Sequence, residues 1–418
     1  MLSFEEALAR LLAGAQPLLE TETIPTLLAA GRVLAEPVLA SIDVPSLDNS
    51  AMDGYAVRSA DIPAPGVCLP VSQRIPAGSI GSTLAPGTAA RIFTGAPVPP
   101  GADAVVMQEL CEHGEGGVVI NHQPQAGENV RLAGGDIAAG QGILSPGQTL
   151  RAQDVALAAS IGVAELKVFR RLRVAVFFTG DELRMPGEPL PPGAIYNSNR
   201  FLIVPLLQGL GCEVCDLGQV ADTLQATRAA LRQAADGNDL ILTCGGVSVG
   251  EEDHVKPAVE AEGRLDMWKI AIKPGKPLAF GAVNAAPADG GEVPFIGLPG
   301  NPVSSFVTFL MLVRPFVLRL QGAGQVAPAA YQARADFDWP KPDVRREFLR
   351  VCRNASGGLE LFANQGSGVL TSAAWADGLV DNPPQQAIRR GDLVRFLPFA
   401  ELTGPAMGGT RISESPIC

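Results

Sequence analysis

The stretch LILTCGGVSVGEEDHVK, residues 240–256, decides the fold. Leu240, Ile241 and Leu242 form a short apolar run that stops at Gly245 and Gly246. Such a run has no polar face, so it reads as a strand buried on both sides. The segments before it alternate in character: RVAVFFT (173–179), NRFLIVPLLQGLG (199–211), CEVCDLGQV (212–220) and TLQATRAALRQAAD (223–236). Strand, helix, strand, helix, strand predicts a parallel sheet with crossover helices. Beyond it come WKIAIKPGKPLAFG (268–281) and VPFIGLPG (293–300), after which Asn301 is a candidate N-cap and Pro302 a candidate first helical residue. The apolar run that follows Pro302 is expected to be interrupted by Arg314 and Pro315 before about 18 residues, so no membrane span is expected.

The rest of the chain divides around this core. A length of 418 residues suggests about three domains. Ser3 and Glu6 read as a capping box for an amphipathic helix carrying Phe4, Leu8, Leu11 and Leu12. Glu5 and Glu6 stand where a secretory signal would carry positive charge. Short β-like runs between Gly and Pro turns follow, and a helical pattern returns at 152–166. The expected organisation is a partly helical domain in two segments (1–46 and 137–169), an inserted β-rich domain (47–136), an α/β domain (170–322) and a small C-terminal β domain (323–418). A formal net charge of −11 gives no reason to approach a nucleic acid or an anionic membrane. Seven dispersed cysteines do not form a secreted disulfide framework, which predicts a reducing, cytoplasmic setting.

In an open α/β sheet, ligands bind beyond the carboxyl ends of the strands. Glu182, Asp222 and Asp253 each follow a predicted strand, so three acids are expected on one edge. Such a set suits Mg²⁺ shared with a ligand phosphate, although an acid after a strand is also an ordinary turn residue. Gly245, Gly246 and Ser248 let backbone N–H groups approach an anion. Only six of the 32 basic residues are lysines, and Lys256, Lys269, Lys273 and Lys276 are four of them. Alternation of Lys269, Ala271 and Lys273 along one strand would place two ammonium groups on one face, either to hold an anion or to protect a sheet edge. Cys212 and Cys215 read as core packing without a second pair to complete a zinc site. His113, His122 and His254 show no metal spacing.

Seven motifs give the chain a family resemblance: DVPSLDNSAMDGYAVR (43–58), RIFTGAPVPPGADAVVMQE (91–109), ENVRLAGGDI (128–137), FFTGDEL (177–183), CGGVSVGEEDHVK (244–256), WKIAIKPGKPLAFG (268–281) and GLPGNPVS (297–304). On these it resembles the MoeA family of molybdopterin molybdenumtransferases, which is similar to the E domain of gephyrin. The resemblance implies a MogA-like three-layer α/β molybdopterin-binding domain, a C-terminal β-barrel and a homodimer. It implies that molybdate is inserted into adenylylated molybdopterin (molybdopterin-AMP) with Mg²⁺ and release of AMP. A MogA-like molybdopterin adenylyltransferase and molybdoenzyme maturation proteins are the implied partners. Carried over by motif, the expected catalytic residues are Asp53, Thr94, Glu182, Asp222, Asp253, Lys269, Lys273 and Lys276, with Glu182, Asp222 and Asp253 on the metal. Arg131, Asp136, Gly245, Gly246, Ser248, Pro299, Pro302, Arg350 and Ser367 are expected to bind substrate. The chain departs from the family pattern at Phe178, Asn197, Cys244 and His254. A gephyrin-like scaffold and a MogA- or CinA-like nucleotide-binding protein are the alternatives, and the motifs at 43–58 and 91–109 weigh against the second.

Overall fold

The computed structural model describes residues 1–246, 254–285 and 291–404. These form two compact units. The first unit comprises Met1–Glu36, Pro146–Ala152 and the described residues from 165 to 404; the second comprises Pro37–Ser145 and Gln153–Ala164. The first helix, Phe4–Gly14, carries the expected capping box: Glu6 N–H donates to Ser3 Oγ at 3.1 Å, and Ser3 N–H to Glu6 Oε2 at 2.8 Å.

The first unit is built on a six-stranded sheet in the order Glu213–Val220, Arg173–Thr179, Leu240–Cys244, Glu292–Leu298, Pro277–Asn284, Gly263–Lys269. The first four strands are parallel, and Pro277–Asn284 pairs antiparallel with both Glu292–Leu298 and Gly263–Lys269. Side chains alternate across a strand, and here both faces are apolar. Val174, Val176 and Phe178 enter one core with Leu240 and Leu242, while Ala175 and Phe177 enter another with Ile241. Ser198–Gly209 covers the first face through Ile203, Leu206 and Leu207. Leu224–Ala235 and Val255–Glu262 cover the second through Leu231, Ala234, Val255 and Val259. The result is the predicted three-layer arrangement. Cys212 is buried as expected, whereas Cys215 is exposed, because Glu213–Val220 is an edge strand.

The helical run after Pro302 departs from expectation. Pro302 does open the helix, but Asn301 at the N-cap makes no side-chain capping bond. The helix carries Arg314 and Pro315 within it, as expected, and continues to Leu320. Phe309–Val313 is π-helical, and this wider turn precedes Pro315. A proline removes an N–H from the ladder, and a π-bulge absorbs that defect without ending the helix. The run is long and apolar enough to cross a membrane, yet 94% of it is buried inside the molecule, as in a core helix. Arg314 is 1% exposed and donates to the Val326 carbonyl at 3.1 Å; burial lowers its pKa to about 10.

A second sheet in this unit runs Ile272–Lys273, Arg346–Arg353, Gly378–Asn382, Leu393–Pro398, Tyr331–Arg334, with Leu359–Leu361 paired to Arg346–Arg353. It has its own core, including Leu349, Val351, Val380 and Phe396. The other unit holds a four-stranded sheet, Val71–Ile75, Ala89–Ile92, Gly54–Val57, Ala104–Met107, and a three-stranded one, Val67–Leu69, Gly117–Ile120, Cys111–Gly114. Gly54 is dictated by crowding, since a Cβ there would lie 1.9 Å from the Val106 carbonyl oxygen. Phe177 is fully buried in an interior strand of the first sheet. Phe177→Ala should destabilise the first unit by about 3–5 kcal/mol, read as a lower midpoint in a denaturant titration.

Candidate functional site

Parallel strands that share a register end together. Thr179, Val220, Cys244 and Leu298 terminate their strands on one edge of the sheet, and a cavity of about 950 Å³ opens there. Its floor is loop backbone: Gly180, Gly245, Gly246 and Pro299 to Pro302. A Cβ on Gly245 would lie 2.5 Å from the Thr179 carbonyl oxygen, so only glycine lets these two loops meet. Cys244 is buried beside them. Its thiol donates to the Pro299 carbonyl at 3.0 Å, lies 3.2 Å from Ser305 Oγ, and accepts from Asn199 Nδ2 at 3.0 Å. Burial pushes the thiol up to about 11. Cys244 is therefore a structural pin between two loops, not a thiolate nucleophile.

One part of the cavity lining is acidic. Glu182 and Asp222 both line it, the first exposed and the second half-buried. Asp222 N–H donates to Asp181 Oδ1 at 3.5 Å. Asp253 and Ser248 lie outside the described residues. Among the described residues, no group of three or more His, Cys, Asp or Glu side chains is placed to hold a metal. Two carboxylates beside space for a phosphate still match the donor set Mg²⁺ takes, since that ion commonly completes its shell with ligand oxygens and water.

Another part is basic, and its make-up differs from expectation. Lys269 ends one strand of the first sheet and Lys273 belongs to Ile272–Lys273 in the second, so the two do not alternate along one strand. The buried Ile270 and Ile272 carry the chain from one sheet to the other. Lys269 is exposed and outside the cavity lining, whereas Lys273 and Lys276 line it. Lys273 Nζ lies 3.1 Å from Glu347 Oε1 and 3.4 Å from Asp343 Oδ2. Arg345, also in the lining, grips Asp343 with both Nε (3.0 Å) and Nη2 (2.8 Å). That guanidinium holds the Asp343 carboxyl well below the usual carboxylate range. Lys276 is exposed and has no ion pair among the described residues.

Arg350 is a second correction. It is 1% exposed and absent from the lining. Its guanidinium donates to Ser372 Oγ, the Phe348 carbonyl and the Gly366 carbonyl at 3.1, 3.1 and 3.3 Å, and burial lowers its pKa to about 10. Arg350 thus braces from behind the loop that presents Gln365, Gly366 and Ser367 to the cavity. Ser367 lines the cavity as expected, and its carbonyl accepts from Val303 N–H at 2.9 Å. Pro299 and Pro302 also line it. Sequence reasoning missed Arg345, Asp343 and Glu347. The only available signal was the charged run DVRRE (343–347) immediately before FLRV.

The remaining expected residues belong to the other unit. Asp53 Oδ1 accepts from both the N–H and the Oγ1 of Thr94, each at 2.8 Å. These bonds, with Arg91 nearby, keep Asp53 below its ordinary pKa. Arg131 pairs through its backbone with Asn49, four residues before Asp53, and Arg131 and Asp136 are exposed. Of the sequence-predicted residues of this unit, Asp53 and Thr94 are thus held together by hydrogen bonds.

A three-layer sheet whose strand ends open on a glycine-lined cavity carrying both acidic and basic groups is the ligand-binding arrangement of open α/β proteins. Three family models match this chain: the MoeA N-terminal region (domain I and II) over residues 2–162, the probable molybdopterin binding domain over 175–319, and the MoeA C-terminal region (domain IV) over 332–399. The molybdopterin molybdenumtransferase of Haemophilus influenzae is 39% identical over 412 residues, which cover 97% of this chain and all of the relative. Molybdopterin molybdenumtransferase 2 of Mycobacterium tuberculosis is 38% identical, covering 86% of this chain and 90% of the relative. The crystal structure of the molybdopterin biosynthesis MoeA protein of Pyrococcus horikoshii OT3 superposes with a TM-score of 0.83 at 28% identity, covering 95% of this chain and all of that one. The chain belongs to the MoeA family of molybdopterin molybdenumtransferases, enzymes of molybdenum cofactor biosynthesis.

The elevated thiol pKa values separate the cysteines by reactivity. An alkylating reagent at pH 8 should label the exposed Cys68 and Cys215, and leave Cys244 and the buried Cys212, itself pushed up to about 12, unmodified in the folded protein. Peptide mass spectrometry reads the result, and rapid labelling of Cys244 would contradict the buried-pin assignment.

Proposed function

We propose that this enzyme inserts molybdate into adenylylated molybdopterin and releases AMP in a Mg²⁺-dependent reaction. The observation that carries the reading is one cavity holding both an acidic pair, Glu182 and Asp222, and a set of cations, Lys273, Lys276 and Arg345. Molybdate is a tetrahedral dianion and the adenylate carries phosphate, so one site must fix one anion while neutralising another. Lys276, whose ammonium has no ion pair among the described residues, supplies the net attraction for molybdate. Lys273 and Arg345, held by carboxylates, supply fixed donors, and preorganised donors stabilise developing charge without moving to do so. Gly245 and Gly246 let backbone approach the phosphate. Glu182 and Asp222 would hold Mg²⁺, which when bound offsets negative charge on the phosphate as the adenylate is cleaved. Asp253 belongs to the same proposed metal set, and Ser248 to the anion loop. The sulfurs that take up molybdenum in this reaction are those of the molybdopterin ligand.

The proposal extends to the assembly. The family resemblance supports a homodimer and the four-domain division at 1–46 with 137–169, 47–136, 170–322 and 323–418. In that dimer, Asp53, Thr94, Arg131 and Asp136 act as the second subunit's contribution to catalysis. The hydrogen-bonded Asp53 and Thr94 pair supports this reading, since it fixes a half-buried carboxylate in place. Lys269 belongs to the same proposed catalytic set from outside the cavity lining. A MogA-like adenylyltransferase would supply the adenylate and maturation proteins would take the finished cofactor. A cytoplasmic location is supported by six free cysteines among the described residues.

The test is incubation of the pure protein with molybdopterin-AMP, Mg²⁺ and molybdate, following AMP release and activation of a molybdenum apoenzyme together. Both should occur, and absence of both would return the scaffold reading. Asp222→Ala should keep the fold, seen by circular dichroism, and lower Mg²⁺-dependent AMP release by roughly 10²-fold. Lys276→Ala should raise the molybdate concentration required by about tenfold, the scale of one charge-assisted contact. An unchanged molybdate response in that variant would remove Lys276 from the oxyanion site.

A further inference from the structure

We infer that Glu347 is a positioning residue for the oxyanion step, acting through Lys273; the inference rests on the transferase reading above. The two residues are register partners, since Ile272–Lys273 pairs in parallel with the start of Arg346–Arg353 and Lys273 stands opposite Glu347. The Glu347 side chain is 1% exposed. A buried carboxylate must have its lone pairs filled, and four donors fill these. Oε1 takes Lys273 Nζ at 3.1 Å. Oε2 takes Trp339 Nε1 at 2.7 Å, Asp343 N–H at 3.2 Å and Asn382 Nδ2 at 3.4 Å.

The distribution of those donors separates a positioning role from a purely structural one. The three neutral donors all fall on Oε2, so Oε2 is anchored and Oε1 is left to the lysine. Of the four donor groups, only the Lys273 ammonium carries charge, and of the four residues only Lys273 lines the cavity. Its side chain is 37% exposed against 1% for its partner. The ammonium therefore has one face tied to the protein and the other turned to the ligand space. The Trp339 ring, 6.0 Å from Nζ, bounds it on a further side. Asp343 completes the device by lying between Lys273, at 3.4 Å, and the bidentate Arg345. Without the two carboxylates, a lysine and an arginine lining one cavity would repel and swing apart on long flexible stems. With them, the donors stay at fixed separation before any oxyanion arrives. Glu347 touches no substrate in this scheme; it sets where Lys273 points.

The experiment uses the full chain and four variants: Glu347→Gln, Trp339→Phe, Lys273→Ala and the Lys273→Ala/Glu347→Gln double. Initial rates are measured against molybdate concentration, with thermal unfolding as the fold control. Glu347→Gln should raise the half-saturating molybdate about tenfold, the scale of one charge-assisted contact, while the rate at saturation stays within about threefold. Trp339→Phe keeps the ring, loses the bond to Oε2, and should raise it about threefold; it carries the test if Glu347→Gln does not fold. The double variant should match Lys273→Ala alone, because effects that pass through one residue do not add. An unaltered molybdate response in folded Glu347→Gln or Trp339→Phe would overturn the inference. So would a double variant whose defect is the product of the two single defects. If wild type forms no molybdate-dependent product, the transferase reading fails separately. Calorimetric titration with molybdate alone then decides the inference: weaker binding by the Glu347 or Trp339 variant supports it, and equal binding, or none by wild type, overturns it.

Discussion

The parallel pairing of Arg173–Thr179 with its neighbours Glu213–Val220 and Leu240–Cys244 is the constraint from which the rest of the first unit follows. Parallel strands need crossovers, the crossovers here are helices, and the helices require both sheet faces to be apolar. Residues 174–179 are accordingly buried one after another, with no polar alternation. The same geometry ends four strands on one edge, where the chain is released from packing and can carry glycine, lysine and acid. Site and core are thus two consequences of one pairing pattern.

The chemistry of the cavity lies in how its charges are compensated. Lys273 and Arg345 are restrained by Glu347 and Asp343, whereas Lys276 has no ion pair among the described residues. A site made only of unpaired cations would attract any anion and hold it loosely. One made only of paired cations would hold geometry with little net attraction. The combination gives both long-range pull and fixed donors. Buried Arg350 belongs to a different tier, since it secures the Gln365 to Gly368 loop through carbonyl contacts and has no opening to the ligand.

Much of this was legible in the sequence because it follows from periodicity. The apolar runs at 173–179 and 240–243 require a buried parallel sheet, and the strand-end rule then places Glu182, Asp222 and Gly245 together. What was not legible depends on contacts between distant segments. Lys269 and Lys273 read as one strand because alternation cannot show that buried Ile270 and Ile272 carry the chain into a second sheet. Arg350 was carried over as a ligand from the family resemblance, and nothing local in EFLRV shows that this arginine is buried. Glu347 was invisible because its partner is 74 residues away. Nothing local in the sequence marks the π-helical turn before Pro315, which is a tertiary accommodation inside a core that buries 94% of the run.

The central claim is that the cationic lining formed by Lys276, Lys273 and Arg345 is where the oxyanion sits. Anomalous diffraction at the molybdenum edge from crystals equilibrated with molybdate tests it most directly. The account predicts a molybdenum peak inside the cavity, within hydrogen-bonding reach of Lys276 through the oxyanion's oxygens and adjacent to the Lys273 ammonium. A peak confined to any other surface of the molecule, with this cavity empty at saturating molybdate, would contradict it.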